Sequence, residues 1–369
     1  MDSCSEYVSL GHPDKTADAI ASYILDEYIK HDPKARFAME VQLKDHVCNL
    51  AGEVTSTWRP SKDEIADLAR DAIRKVGYTA EYAAKWPEGA TLNADNVVVY
   101  NFVGQQSPDI AQGVNKDGWG DQGIFMGMAT AESDYDYMPR DRYFAHEIGK
   151  ALYNYALAGV APIGLDIKVL VSLNNESVEQ IVIAAPMKKE DEVSARAFIE
   201  RVVFEKLTGQ NYPMCNDLII NGTGAYVVHS SVGDAGVVGR KLAVDFYGLN
   251  CPIGGGATYG KDGSKADVTL NLYARYLSLL TIFREPDRYE KVFTKIGCCI
   301  GKSECLVSQF DENNMCISEY SSAVFPSTVI KLFGLDGGKR DDMFFSMCKD
   351  GLFSYVDKLA IENSKKGAC

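Results

Sequence analysis

The chain has 369 residues, of which 46% are hydrophobic and 24% are charged, and this composition is typical of a folded globular protein with two or three domains. Its formal net charge of −13 argues against a broad surface for nucleic acid or anionic membrane. The N-terminal residues show no secretory signal pattern, and the ten cysteines show no CxxC or zinc-finger spacing. We therefore expect a cytoplasmic protein with reduced thiols and no membrane-spanning segment.

Apolar periodicity and end signals divide the chain into predicted helices and strands, taken here in chain order. Helices are predicted at Thr16–Ile29, between the capping-box residues Ser61–Glu64 and a C-terminal cap at Gly77, and at Pro139–Ala158, Asp191–Leu207, Lys265–Phe283, Ser327–Phe333 and Arg340–Lys349. Strands are predicted at Arg36–Leu43, Cys48–Ser56, Val97–Val103 (as a buried strand), Asp166–Leu173, Glu179–Ala185, Leu218–Ile220, Ala225–Val228, Lys291–Ile300 and Glu304–Gln309. Mixed blocks of strands and helices favour an α+β fold of several units over one doubly wound sheet.

A polar, glycine-studded stretch from Gly104 to Gly123 follows the third predicted strand. A loop of this length is usually functional or mobile.

The segment Gly239–Asp267 reverses the overall sign of the charge. It places Arg240, Lys241, Lys261 and Lys265 among glycines and small residues. A glycine-rich backbone can bring N–H groups close around an anion, and the cations can neutralise that anion. Carboxylates in the same segment indicate that the anion arrives with a divalent cation. The pattern predicts a polyphosphate site.

Four separated motifs identify the chain as a divergent member of a known family. They are GHPDK at 11–15, GWGDQG at 118–123, DAGVVGRK at 234–241 and GGGATYGKDGSKAD at 254–267. Together they resemble the hallmarks of the S-adenosylmethionine synthetase (methionine adenosyltransferase) family. The resemblance covers about residues 5–280 and extends to Glu40, to Gly52-Glu53, to QSPDI at 106–110 and to Asp166-Ile167-Lys168.

The resemblance implies a transferase of S-adenosylmethionine biosynthesis and one-carbon metabolism. In this family, methionine sulfur attacks C5′ of ATP, and the expelled triphosphate is hydrolysed to diphosphate and phosphate. Sulfur needs no general base, so the site must mainly position the reactants and stabilise the leaving group. The implied fold is three similar α+β units, intertwined in one subunit and spanning approximately 1–103, 104–225 and 226–369. The implied assembly is a homodimer or homotetramer with active sites at the subunit interface.

The family's functional residues map onto this sequence by motif. The implied catalytic residues are His12, Lys168, Arg240 and Lys261. The implied ATP-binding residues are His12, Asp166, Lys168, Tyr226, Asp234, Arg240, Lys241, Ala257 and Lys261. The implied methionine-binding residues are Glu53, Gln106, Asp234 and Lys265. The implied metal ligands are Asp14 and Asp267 for Mg²⁺ and Glu40 for K⁺.

Structural alternatives stand beside these assignments. His12 suits a polar turn, Asp14 suits the N-cap of the first helix, and Asp267 suits the first turn of a later helix. Glu40 suits a solvent-facing strand position, and the cations together suit a charged surface patch.

Four departures from the family pattern limit what the resemblance implies. The loop between QSPDI and GWGDQG is shorter than usual, and Gly222–Tyr226 loses an arginine near the nucleotide. Gly164-Leu165 replaces an arginine-proline pair, and the usual C-terminal histidine- and glycine-rich motif is not recognisable after Gly301. Two other functions therefore stay open: a catalytically silent homologue that acts as a nucleotide-binding regulatory subunit, and an adenosyltransferase for a methionine analogue. A dinucleotide-dependent oxidoreductase is disfavoured, because no GxGxxG motif follows a first strand.

Overall fold

The computed structural model describes residues 3–104, 117–174, 177–213, 215–254 and 256–366. The strands are β1 Ser3–Val8, β2 Arg36–Lys44, β3 Val47–Thr55, β4 Val98–Gly104, β5 Gly123–Thr130, β6 Lys168–Asn174, β7 Ser177–Ala184, β8 Asp217–Ile220, β9 Gly236–Val237, β10 Lys291–Cys298, β11 Glu304–Asp311 and β12 Cys316–Ala323. The α-helices are α1 Pro13–His31, α2 Lys62–Val76, α3 Ala80–Ala83, α4 Arg140–Leu157, α5 Glu192–Thr208, α6 Ser230–Gly233, α7 Leu242–Asp245, α8 Ala266–Arg284, α9 Pro326–Phe333, α10 Met343–Asp350 and α11 Ser354–Lys365.

The described strands form three four-stranded sheets, with strand orders β1-β6-β7-β8, β12-β11-β10-β5 and β4-β3-β2-β9. Each sheet combines strands from distant parts of the chain. For example, β1 pairs antiparallel with β6, so that Ser3 lies opposite Leu173. The intertwined α+β fold implied by the resemblance is confirmed.

Helix α1 is the element around which the site is built. His12 is its N-cap, and Pro13 occupies the first turn, where a missing N–H costs nothing. Most of the helix is buried, including Ile20, Ile24 and Leu25, which are fully buried. The buried face of β2, with Phe37 and Met39, belongs to the same hydrophobic core. The start of α1 is therefore held in a fixed place.

End signals read from the sequence are confirmed at α2. The Ser61 side chain accepts from the Glu64 backbone N–H, and the Glu64 carboxylate accepts from the Ser61 backbone N–H. Gly77 ends the helix in the left-handed conformation with φ of 110°, which glycine adopts at low cost.

Several sequence predictions are wrong. β4 was predicted as a buried strand, but its residues Val98, Tyr100 and Phe102 are 50%, 51% and 69% exposed. Residues 225–228 form no strand. The two predicted helices at Ser327–Phe333 and Arg340–Lys349 were expected to be the last elements, but α11 follows them. Strands β1, β5 and β12 were not predicted. The partner strands of β1 and β5 lie far away in sequence, and the residues of β12 are largely polar and exposed.

No helix among the described residues is long and apolar enough to cross a membrane. Nine of the ten cysteines lie in the described ranges, and all nine are free thiols. The predicted loop 104–123 is described from residue 117 onward, where turns lead into β5.

Candidate active site

The edge of β2 positions both arms of the cationic segment, which are residues 239–245 (the first arm) and residues 254–267 (the other arm). At one end of β2, Gln42 and Leu43 pair with β9, which leads directly to Arg240 and Lys241. At the other end, the Met39 N–H donates to the Gly260 carbonyl at 2.8 Å, and Ala38 bridges to Lys261. One strand therefore fixes two loops that are about twenty residues apart in sequence.

The first group of site residues gathers at the N-terminus of α1. His12 is 3% exposed, and its Nδ1 accepts the Asp14 backbone N–H at 3.1 Å. Because Nδ1 accepts, the ring proton is on Nε2. Burial, then the nearby charges of Lys168 and Lys241, lower the pKa of His12 from 6.5 to about 3. The imidazole is therefore neutral and offers one N–H donor.

Asp14 connects this helix end to the cationic segment. Its Oδ1 accepts the Val237 N–H at 2.8 Å, and its Oδ2 accepts from the Lys241 ammonium. Burial acts to raise the pKa of Asp14, but the hydrogen bonds from Lys241 and Val237 outweigh it and hold the pKa below its usual value. The alternative that Asp14 is the N-cap is wrong, because His12 holds that position and Asp14 lies in the first turn.

Two cations of this group have exposed side chains. The Arg240 side chain is 56% exposed and lies 3.7 Å from the Asp14 carboxylate. Lys168 is exposed at the start of β6 and forms no ion pair or hydrogen bond with another side chain in the described ranges. Its positive charge nevertheless lowers the pKa of both His12 and Asp166, which places Lys168 near both groups.

Asp166 and Tyr226 form the neighbouring wall. The Asp166 carboxylate accepts the Ser230 N–H at 3.0 Å, and burial raises the pKa of Asp166 to about 7. The Tyr226 hydroxyl donates to the Asp166 carbonyl at 2.7 Å, so the ring is tied to this loop. Asp234 is exposed, and its Oδ1 accepts the Ala235 N–H at 2.8 Å.

The second group lies on the other arm of the segment. Asp267, in the first turn of α8, accepts the Gly256 N–H at 2.8 Å and the Lys261 ammonium at 2.5 Å. The pattern repeats the one at Asp14, where one backbone N–H and one lysine hold the carboxylate. Lys265 donates to Asp262 at 2.7 Å.

Glu40 and Glu53 lie on the exposed face of the β4-β3-β2-β9 sheet. Glu53 lies opposite Ala38, and Ala38 bridges to Lys261, so these three residues form one row across the sheet. Glu40 lies two residues further along β2 and is exposed, as expected for a solvent-facing strand position. Gln106, assigned to methionine by the resemblance, lies outside the described residues.

The two groups meet through the backbone. Gly239, with φ of 77°, packs so closely on Ala257 that an added Cβ would lie 2.5 Å from the Ala257 Cβ. Between the two sets of side chains no hydrogen bond or ion pair is present in the part of the chain that the structure describes. The fold therefore brings the sequence-predicted residues into two adjoining clusters instead of one.

The donor set fits a divalent cation that is shared with phosphate. In the described ranges no cluster of three or more histidine, cysteine or acidic side chains could hold a metal by itself. Magnesium, however, commonly takes only one or two carboxylates and completes its shell with water and phosphate oxygens. Asp14 and Asp267 each present a carboxylate whose second oxygen already contacts a cation, the ammonium of a lysine.

Sequence reasoning missed three residues behind this site. Lys15 lies within GHPDK but received no role, and Asp18 and Asp245 carried no motif signal. In the fold, Lys15 lies between the two carboxylates. Only tertiary contact between α1 and the segment 239–245 could have shown this.

One departure from the family pattern has a structural reason. At Gly164 an added Cβ would lie 2.8 Å from Pro186 and 2.9 Å from the Tyr82 hydroxyl. No side chain fits there without movement, so the missing arginine is excluded by the local packing.

Comparisons with known proteins agree with these motifs. Residues 2–108, 116–226 and 228–335 match the N-terminal, central and C-terminal domain models of S-adenosylmethionine synthetase. An S-adenosylmethionine synthase of Helicobacter pylori is 35% identical over 345 residues, which cover 90% of this chain and 85% of the relative. One of Wolinella succinogenes is 37% identical over 288 residues, covering 74% and 71% of the two chains. A solved structure described as an unusual S-adenosylmethionine synthetase, from Campylobacter jejuni, matches with a TM-score of 0.85 and 30% identity over 99% of this chain and 98% of its own.

Proposed function

The chain belongs to the S-adenosylmethionine synthetase family and is a methionine adenosyltransferase, and we propose that its two residue clusters divide the work of that reaction. The reaction converts ATP, L-methionine and water to S-adenosylmethionine, diphosphate and phosphate. The observation that carries the proposal is the pair of carboxylate–lysine contacts at Asp14 and Asp267, beside a neutral His12 and the exposed Lys168.

The nucleophile needs little from the protein. A thioether sulfur attacks C5′ without losing a proton, so no general base is required. The leaving triphosphate gathers negative charge, and stabilising that charge is the main task of the site. Among the described residues, Lys168 forms no ion pair with a carboxylate, and the exposed Arg240 lies 3.7 Å from Asp14. Both side chains can therefore offer positive charge to a phosphate, which supports their roles as catalytic, phosphate-binding groups.

His12 serves as a neutral hydrogen-bond donor. With Nδ1 occupied by the Asp14 N–H, only Nε2–H is available to an oxygen of the triphosphate or ribose. Near pH 7, a neutral imidazole donates a hydrogen bond without adding a positive charge that would repel the lysines.

Asp14 and Asp267 would hold Mg²⁺ together with phosphate oxygens. When bound, Mg²⁺ would neutralise and orient those oxygens. The ammonium groups of Lys241 and Lys261, which now pair with the two carboxylates, would then be available to the triphosphate. Glu40 is proposed as the K⁺ ligand, and its support is its exposed carboxylate in the same sheet as Glu53.

The methionine subsite is proposed around Glu53, Gln106, Asp234 and Lys265. An exposed carboxylate at Glu53 suits the substrate ammonium, and Lys265 suits the substrate carboxylate. Asp166, Tyr226 and Ala257 are proposed to line the nucleotide, and the Tyr226–Asp166 hydrogen bond supports a rigid wall there.

A second copy of the chain is proposed to complete each site, as a homodimer or a homotetramer. Glu40 and Glu53 share their sheet face with the exposed apolar residues Val98, Tyr100 and Phe102. An apolar face of this kind marks an interaction surface. Covering it with the same face of a second subunit would place Glu40 and Glu53 at the subunit interface. The free thiols support our placing the enzyme in the cytoplasm.

The Lys168→Ala variant tests the site. Because Lys168 is exposed and forms no side-chain hydrogen bond or ion pair in the described ranges, the variant should keep its melting temperature. We expect turnover to fall about a hundredfold or more, as for removal of one transition-state donor. Lys206→Ala is the matched control, since Lys206 pairs with Glu147 at 2.8 Å, outside both clusters. Near-normal turnover of Lys168→Ala would show that the site is misplaced.

A further inference from the structure

A buried ionic cluster lies directly beneath the first arm of the site. Its centre is Lys15, which is 2% exposed and lies 2.7 and 2.9 Å from the two carboxylate oxygens of Asp245. On the other side, Lys15 lies 3.1 Å from Oδ2 of Asp18, which is fully buried. The Tyr259 ring covers the ammonium at 4.2 Å from its centroid. We call these residues, Lys15, Asp18 and Asp245, the Lys15 cluster.

The Lys15 cluster contacts both ends of the segment 239–245, which carries Arg240 and Lys241. At the start of the segment, Asp18 Oδ1 accepts the Gly239 N–H at 2.8 Å. At its end, Asp245 is the last residue of the short helix α7 and lies against the same ammonium.

Gly239 has little freedom to move. Its φ of 77° suits glycine, and Ala257 closes the space where a side chain would be. With Asp18 holding its N–H, the chain direction entering Arg240 is fixed from two sides.

The cluster is a poor device for stability alone. Buried ionic groups gain little net free energy over well-packed apolar residues, because their desolvation costs about as much as their attraction returns. Burial also raises the pKa of Asp18 to about 7, which shows how unfavourable its charge is there. A role in placing other groups accounts for the cluster better than stability does.

We propose that Asp18 is a positioning residue, which holds the Gly239 N–H so that Arg240 and Lys241 meet the triphosphate. This proposal rests on the proposed function. A displacement of about 1 Å in a catalytic group can cost about a hundredfold in rate. Removing the Asp18 oxygen should therefore weaken triphosphate chemistry selectively and leave methionine binding unchanged. Glu53 lies in β3, Lys265 lies on the other arm, and β9, which β2 holds, separates Asp234 from Gly239.

The experiment measures hydrolysis of inorganic tripolyphosphate and the KM for methionine in the full-length chain. For Asp18→Ala we expect kcat/KM for tripolyphosphate to fall about a hundredfold, with the methionine KM within about twofold of wild type. Asp18→Asn retains an oxygen that can accept the Gly239 N–H and should recover most of the loss.

Asp26→Ala is the matched control, because Asp26 lies on the same helix, is 4% exposed, and accepts the Phe344 and Phe345 N–H groups at 2.9 and 2.8 Å. It should lower the melting temperature and leave the tripolyphosphate kinetics unchanged. Equal kinetic losses in the two alanine variants, or wild-type kinetics in Asp18→Ala, would overturn the proposal.

Gly239→Ala carries the test if Asp18→Ala does not fold. An added Cβ collides with Ala257 and moves the same backbone, so the same selective loss is expected, and unchanged kinetics would again overturn the proposal. If the wild-type chain hydrolyses no tripolyphosphate, the proposed function fails instead, and the two failures are distinguishable.

Discussion

Two aspartates lie five residues apart in the glycine-rich segment, and replacing each with alanine should have opposite effects on stability and on catalysis. Asp262 is 1% exposed and accepts the Phe37 and Ser264 N–H groups as well as the Lys265 ammonium. Asp267 accepts from one backbone N–H and from the Lys261 ammonium. The side chain of Asp267 is 14% exposed, and that of Lys261 is 22% exposed. The two carboxylates are similar in local chemistry and differ in burial and in their proposed role.

The magnitudes follow from the bonds that each substitution breaks. Asp262→Ala leaves two backbone N–H groups buried without partners, at about 1–3 kcal/mol each, so it should cost about 4 kcal/mol. At ~2.1 cal/mol/K per residue of unfolding entropy, that corresponds to a fall of about 5 °C in Tm for this chain. Asp267→Ala breaks a partly exposed pair and should cost about 1 kcal/mol.

The activities should show the opposite order. Asp267→Ala should lower kcat by about a hundredfold, because it removes a proposed ligand of the metal, and such a metal stabilises the charge that develops on the phosphate by several kcal/mol. Asp262→Ala should keep the wild-type Mg²⁺ dependence in its folded fraction. Tm is measured by calorimetry, and initial rates are measured over a Mg²⁺ titration. A wild-type Mg²⁺ titration for Asp267→Ala, or a shifted one for Asp262→Ala, would refute the reasoning.

Three further predictions concern other parts of the structure. Since the folded-state pKa of His12 is about 3, below its usual 6.5, its contribution to stability is present above pH 6.5 and is lost as pH falls toward 3. The His12→Asn variant can still cap α1. Between pH 7 and pH 5, its free energy of unfolding, measured by urea unfolding, should therefore fall by about 2 kcal/mol less than that of the wild type. Equal falls in the two proteins would contradict this. Phe102→Asp should shift the sedimentation mass to that of a monomer, and an unchanged mass would argue against the exposed sheet face as the interface. Gly164→Arg should lower the free energy of unfolding by about 1–3 kcal/mol, because the added side chain collides with Pro186. A variant as stable as the wild type would show that the residues around position 164 move to accommodate the arginine.

Local signals in the sequence predicted those elements whose own residues determine them. The capping residues Ser61 and Glu64 and the terminal Gly77 set the ends of α2 by short-range hydrogen bonds. By contrast, β1 forms only because residues 168–173 pair with it from far along the chain. β4 was read as buried from its apolar residues, but burial depends on what covers a sheet face, and that is a tertiary property.

The same limit applies to the site. The motifs located His12, Asp14 and the cations, and the resemblance named their chemistry. Which carboxylate holds which lysine depends on contacts such as that of Lys241 with Asp14, which are 227 residues apart. The proposed role of Asp18 has no local signature for the same reason, since its partner Gly239 is 221 residues away.

A single stoichiometry measurement tests the central claim most directly. Purified protein is incubated with ATP, L-methionine, Mg²⁺ and K⁺, and S-adenosylmethionine, diphosphate and phosphate are measured in the same sample. We expect equal amounts of all three products from the wild-type chain and almost none from Lys168→Ala. Bound ATP with no product would indicate a silent regulatory homologue, and product formed only with a methionine analogue would indicate a different substrate; either result would contradict the account.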